Sequence, residues 1–276
     1  MENASGPIGV FDSGYGGLTI LRQIRALMPQ YDYLYLGDNA RAPYGTHSFE
    51  VVYEFTLQAV RRLFQMGCPL VILGCNTASA KALRTIQQND LPLLDASRRV
   101  LGVIRPTAEC VANITHTRHV GVLATPGTIL SRTYELEIAK LWPDIQVTGE
   151  ACPMWVPLVE NREFDSPGAD YFVRQHIDRL LVRDPDIDTL ILGCTHYPLL
   201  LPKIRQHTPS HIRLIPQGEY VATSLRDYLR RHPEMDQRLS QTASALYLTT
   251  EQPDTFSRSA AIFLDQPIEA QRITLG

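Results

Sequence analysis

The chain lacks an excess of charge of either sign: 26 basic residues stand against 29 acidic ones, a formal net charge of −3, with no long run of one sign. Surfaces that bind a nucleic-acid backbone or an anionic membrane need clustered Lys and Arg, so no nucleic acid and no membrane partner is expected. No apolar stretch approaches the ~18 uninterrupted residues of a membrane span. Met1-Glu2-Asn3-Ala4-Ser5 lacks the basic start of a secretory leader, so the protein is expected to be cytoplasmic. Five cysteines, an odd number, argue against a disulfide framework in a chain this long. There is no CxxC and no clustered His/Cys spacing of the zinc type, so no metal is expected. Lysine is scarce. Lys81, Lys140 and Lys203 are the whole set, and none sits at a predicted strand end where a pyridoxal phosphate enzyme would need one. Gly14-Tyr15-Gly16-Gly17 has neither the GxGxxG spacing nor the GK[ST] ending of a nucleotide loop. The expectation is a small ligand and no cofactor.

What is present is a duplication. Leu70-Val71-Ile72-Leu73-Gly74 leads into Cys75-Asn76-Thr77, and Leu190-Ile191-Leu192-Gly193 leads into Cys194-Thr195-His196. Ile8-Gly9-Val10-Phe11-Asp12-Ser13-Gly14 is echoed, 112 residues on, by Val120-Gly121-Val122-Leu123-Ala124-Thr125-Pro126. Strands are predicted at 8–11, 33–36, 70–73, 119–123, 145–148 and 189–192. Helices are predicted at about 18–27, from a Ser48 cap to Gly67, 128–141 and 168–182. Such alternation implies parallel sheets. The predicted fold class is α/β, two pseudo-symmetric parallel-sheet α/β domains with the active site in the cleft between them. The tail, with a strand near 212–215, helices near 219–231 and 254–263 and a strand at 245–249, is too small for a core of its own. The predicted domains are therefore 1–98 plus 214–276, and 99–213.

Each half delivers one thiol to the carboxyl end of a buried strand, where parallel sheets bind ligands. A single cysteine there is commonly an inert small hydrophobe; the pairing is what points to chemistry. Cys68, Cys110 and Cys152 lack the setting and are expected to be structural. Asp12 ends the first strand, where it either caps the next helix or binds an ammonium and assists a thiol. His196 is either a turn histidine or an acid/base partner of Cys194. Asn76, Thr77 and Thr195 suit a ligand carboxylate or simply cap helices. Glu160, closing Val156-Pro157-Leu158-Val159, reads from composition as a solvated loop residue that reaches a thiol or the histidine only if the fold brings it there. A hydrolase with Cys194 as nucleophile and His196 as base is disfavoured, because residues two apart rarely place the two groups for that work and Cys75 is left unexplained. An amino-acid-binding module without catalysis is the remaining non-enzymatic reading.

Phe11-Asp12-Ser13-Gly14, Gly37-Asp38-Asn39-Ala40-Arg41-Ala42-Pro43-Tyr44-Gly45, Gly74-Cys75-Asn76-Thr77-Ala78 and Leu192-Gly193-Cys194-Thr195-His196-Tyr197-Pro198 occur in order, and together they resemble the glutamate racemases. The likeness runs on through Ala151-Cys152-Pro153 and Val159-Glu160 to Thr249-Thr250. It implies a cofactor-independent enzyme that interconverts L- and D-glutamate with two cysteines working from opposite faces, supplying D-glutamate for peptidoglycan. Carried onto this chain, it implies Cys75 and Cys194 as the two acid/base thiols, with Asp12, His196 and Glu160 assisting. Asp12, Ser13, Tyr44, Gly45, Asn76, Thr77, Thr195 and His196 would be the substrate contacts; within that set we expect the Tyr44-Gly45 amides to face the side-chain carboxylate and Asn76, Thr77 and Thr195 the α-carboxylate. A homodimer is implied as well. The chain departs from the family pattern at Tyr15 and at Asn161-Arg162, both expected at the rim of the site. A racemase of the same superfamily acting on aspartate or another small acid is the nearest alternative.

Overall fold

In the computed structural model residues 5–275 are described, and they divide into two compact units, Met1–Val103 with Gly218–Gly276, and Ile104–Gln217. The first unit is built on a six-stranded parallel sheet of β1 (Ile8–Asp12), β2 (Tyr33–Gly37), β3 (Leu70–Leu73), β4 (Arg99–Gly102), β9 (Ala245–Thr249) and β10 (Ala270–Arg272), in the order β10-β9-β2-β1-β3-β4. The second has β5 (His119–Ala124), β6 (Gln146–Ala151), β7 (Thr189–Gly193) and β8 (Arg213–Pro216), in the order β6-β5-β7-β8. The order 2-1-3-4 therefore occurs twice. Asp12 and Cys75 on one side, and Ala124 and Cys194 on the other, lie at the point where strand order reverses, which is where open α/β sheets hold ligands.

The central strands are buried because helices cover both faces of such a sheet; β1, β2, β3 and β7 contain no exposed residue. Helix α1 (Gly17–Leu27) starts hard against the end of β1. A Cβ at Gly17 would lie 2.5 Å from Asp12 Cβ, so only glycine lets the helix begin there. Helix α2 (Phe49–Gln65) starts at Ser48, whose Oγ accepts from the Val51 N–H at 3.3 Å. It ends in paired bonds from Gly67 N to Phe64 O and Cys68 N to Leu63 O, with Gly67 at φ 90°. Val52, Val60, Leu63 and Phe64 face a core that includes Phe11, Leu36 and Leu73.

Several expectations need correction. The segment expected as one helix over 128–141 is two, Pro126–Leu130 and Thr133–Leu141, divided at Arg132 with φ 55°. The strand near 212–215 is β8, and it pairs in parallel with β7 rather than returning to the first sheet. Residues 99–102 form β4, an edge strand on β3. The domain boundaries expected after 98 and 213 consequently fall later, because the last strand on each side is paired within the preceding sheet. No helix among the described residues is long and apolar enough to cross a membrane.

Candidate active site

In the first unit the paired ends of β1 and β3 bring Asp12, Ser13 and Cys75 together. Cys75 is the N-cap of α3 (Asn76–Lys81), its Sγ accepting from the Ala78 N–H at 3.5 Å, with Ser13 Oγ 3.4 Å away. Asp12 is buried, and its Oδ1 accepts from the Gly14 N–H at 2.8 Å, so the carboxylate shapes the turn that carries Ser13. The Tyr35 hydroxyl donates to Gly14 O at 2.9 Å and holds that turn from β2. Asn76 and Thr77 open α3 and are buried beside the thiol. Tyr44 and Gly45 lie in a short 3-10 turn, Tyr44–Thr46, on the loop after β2. The Tyr44 ring points into the core against Phe11 and Phe55, so its side chain anchors the turn.

The second unit places its thiol differently. Cys194 follows β7 and is succeeded by a turn closed by Tyr197 N to Cys194 O at 3.2 Å, then by a 3-10 segment, Tyr197–Leu200, so the helix start expected at this point is one segment further on. Gly193 is tightly packed: a Cβ there would meet Ala124 Cβ at 3.1 Å and the Tyr134 ring at 3.2 Å. The partner of Cys194 is His196. Its Nδ1 lies 3.8 Å from Cys194 Sγ and its Nε2 lies 3.0 Å from Glu160 Oε1. Burial alone would push this imidazole down from its ordinary 6.5. Hydrogen bonds to Cys194 and Glu160, and negative charge on both, outweigh burial and raise it to about 10. The place between a sulfur and a carboxylate therefore favours the protonated ring. Thr195 is buried next to it.

All five expected acid/base residues therefore fall in two groups, Asp12 with Cys75 and Glu160, His196 with Cys194. Two expectations about the second group are corrected. Glu160 is the last residue of a helix, Trp155–Glu160, not a loop residue, and that helix aims it at His196. Residues two apart do bring a thiol and an imidazole together here, because the turn after β7 folds His196 back toward the sulfur. The two groups are also unlike. Position for position Asp12 matches Ala124, so the second half has no carboxylate on its first strand and draws one from Glu160 instead.

Burial pushes the thiols of Cys68 and Cys110 up to about 12. Burial, with Glu150 and Cys194 nearby, pushes Cys152 well above its usual range. Among the described residues one His/Asp grouping, His119 with Asp184 and Asp186, has the spacing to hold a cation. It lies at the start of β5, the end opposite Cys194. Its Asp184 carboxylate already accepts from Gln146 at 3.2 Å and Thr148 at 3.0 Å and contacts His119 at 2.9 Å, which is a structural network. The two departures from the family pattern have local settings. Tyr15 stacks on Phe256 and Phe263 at 5.3 and 5.9 Å between ring centroids. Arg162 takes a left-handed φ of 61° in the turn that ends the Trp155–Glu160 helix. Sequence reasoning passed over Asp38, a fully buried carboxylate in the loop that carries Tyr44; its place inside the motif Gly37 to Gly45 was the available signal.

Residues 18–224 match the Asp/Glu/Hydantoin racemase family. A glutamate racemase of Roseobacter denitrificans is 39% identical over 272 residues, spanning 95% of this chain and 98% of that protein. Among solved structures, a glutamate racemase of Bacillus anthracis aligns with a TM-score of 0.88 at 34% identity over 98% of each chain. One of Francisella tularensis, in complex with D-glutamate, aligns with a TM-score of 0.84 at 31% identity over 99% of this chain and 97% of the other.

Proposed function

We propose, for a chain that belongs to the glutamate racemase family, that Cys75 and Cys194 interconvert L- and D-glutamate without a cofactor, one taking the α-proton from one face while the other delivers its own proton to the opposite face, supplying D-glutamate for peptidoglycan. The observation that carries this reading is the repeated strand-Gly-Cys element at the reversal point of two sheets of the same order, each thiol with its own polar partners. Racemisation needs a base on one face of the α-carbon and an acid on the other. In the D to L direction the Cys75 thiolate removes the α-proton while the Cys194 thiol protonates the opposite face; in the L to D direction the roles exchange. This requires one bound glutamate to be reached by both sulfurs.

The chemical difficulty is the weak acidity of an amino-acid α-hydrogen. With no imine to take up the developing charge, the chain relies on fixed dipoles and positioning. Asn76, Thr77 and Thr195 supply donors for the α-carboxylate, and the Tyr44-Gly45 amides face the side-chain carboxylate. Asp12 and Ser13 flank Cys75 and the substrate ammonium. His196, oriented by Glu160, holds or returns the Cys194 proton. A homodimer working in the cytoplasm on free glutamate belongs to the same reading; light scattering at twice the chain mass supports the dimer, and the monomer mass opposes it.

The test is proton NMR of purified protein with L-glutamate and then D-glutamate in D2O, with no cofactor added, alongside circular dichroism of the amino acid. Loss of the α-proton signal together with loss of optical activity from either enantiomer is expected. Turnover of aspartate in place of glutamate would move the assignment to a related acid racemase. Binding without exchange would reduce the protein to a binder.

A further inference from the structure

Asp38 is wholly buried at the end of β2, and its carboxylate and backbone together tie its own loop to Thr250 and to the end of β1. Oδ2 accepts from Arg41 Nε at 2.7 Å and from the Tyr44 hydroxyl, and Oδ1 accepts from Thr250 Oγ1 at 2.9 Å. Its backbone N–H donates to Asp12 O at 3.0 Å, which ties it to the strand end that carries Asp12. Thr250 also accepts from the Ala40 N–H at 3.0 Å. Arg41 is fixed in turn by Gln58 Oε1 at 2.6 Å and by the Phe55 ring 4.0 Å beneath its guanidinium. The far end of the same loop is pinned by Lys81 Nζ donating to His47 O at 2.6 Å.

We propose that Asp38 is a positioning residue for recognition of the substrate's side-chain carboxylate, acting through the Tyr44 hydroxyl to fix the Tyr44-Gly45 turn. The inference rests on the racemase reading above, in which those two amides receive that carboxylate. Packing of the Tyr44 phenol against Phe11, Phe55 and His47 is non-directional. The bond from its hydroxyl to Asp38 fixes the far end of the ring, and with it the direction in which the side chain leaves the turn. Amides that receive a carboxylate lose much of their advantage when misplaced by about an ångström. The network contributes mainly to ground-state and transition-state binding alike, since the distal carboxylate does not change during proton transfer. Loosening it raises KM and spares kcat.

The experiment compares wild type with Tyr44→Phe, which deletes one oxygen, with Asp38→Asn, and with the double variant. Tyr53→Phe is the control, since it deletes another hydroxyl bonded to a carboxylate, Asp90 at 2.8 Å, on the opposite face of α2. KM and kcat are measured for both enantiomers of glutamate, with circular dichroism to confirm folding. Tyr44→Phe is expected to raise KM about tenfold with kcat within about twofold, and the double variant is expected to be no worse than Asp38→Asn alone, because both act through one bond. Tyr53→Phe is expected to leave KM unchanged. A folded Tyr44→Phe with wild-type KM, or one whose loss falls on kcat, overturns the proposal, as does an equal rise in KM for Tyr53→Phe. Wild type that racemises no glutamate overturns the parent reading and this inference with it.

Discussion

His196 sits between a sulfur and a carboxylate, and that position sets its charge. Its raised pKa, about 10 against an ordinary 6.5, means that the folded protein holds the proton more tightly than the unfolded chain. The resulting stability is complete below about pH 6.5 and is lost as pH climbs toward 10. Glu160→Gln removes the carboxylate and should bring the His196 pKa down, which NMR of the labelled ring reads directly; an unchanged titration would show that the Glu160 contact is incidental. The same variant should narrow the alkaline side of the pH profile for deprotonation of L-glutamate more than for D-glutamate, because only Cys194 has this partner. Asp12→Asn should show the opposite bias in single turnovers, and equal losses for both enantiomers would contradict separate partners. At this scale the cysteines, Asp12 and His196 were legible, since motif and spacing mark them. Glu160 was visible only as a candidate, because composition does not tell that an apolar run containing Pro157 coils into a helix and aims its last side chain at residue 196.

Elements were legible where one period dominates. β1, β3 and β7 are short apolar runs that end in, or are followed at once by, Asp or Gly, and α2 has a cap, a single apolar face and a terminating glycine. The misread places are those where backbone conformation overrides pattern. Arg132 adopts a left-handed φ that splits one apparent helix, a state that arginine does not advertise. β8 carries an apolar pattern that fits either sheet, and only pairing with β7 decides between them. Ala243 is a further case, with φ 60° in the turn whose neighbours wrap the Asp32 carboxylate: Thr242 and Ser244 each donate to Oδ1 through backbone and side chain at 2.7–2.9 Å. A left-handed alanine costs roughly 1–2 kcal/mol, part of which glycine gives back through its freer unfolded chain. Ala243→Gly should therefore stabilise by about 0.5–1 kcal/mol, seen as a higher urea midpoint at unchanged slope. A lower midpoint would mean that the methyl group is needed for packing.

On the scale of the molecule, one strand order used twice has yielded two half-sites with the same thiol and different helpers. The sequence repeat made the duplication legible, but not the asymmetry, which depends on a carboxylate delivered by β1 in one unit and by a helix terminus in the other. Both thiols are needed if each serves one face. Cys75→Ala and Cys194→Ala should each lower racemisation by about 10²–10⁴-fold or more while the fold is kept, and near wild-type turnover by either would sink the two-base account. The most direct single measurement is the isotope content of both enantiomers early in the conversion of L-glutamate in D2O. Two monoprotic thiols predict product that carries deuterium at the α-carbon from the first turnovers, while the remaining L-glutamate keeps its protium. Early product that retains protium, or deuterium appearing equally in substrate and product, would mean that one base serves both faces.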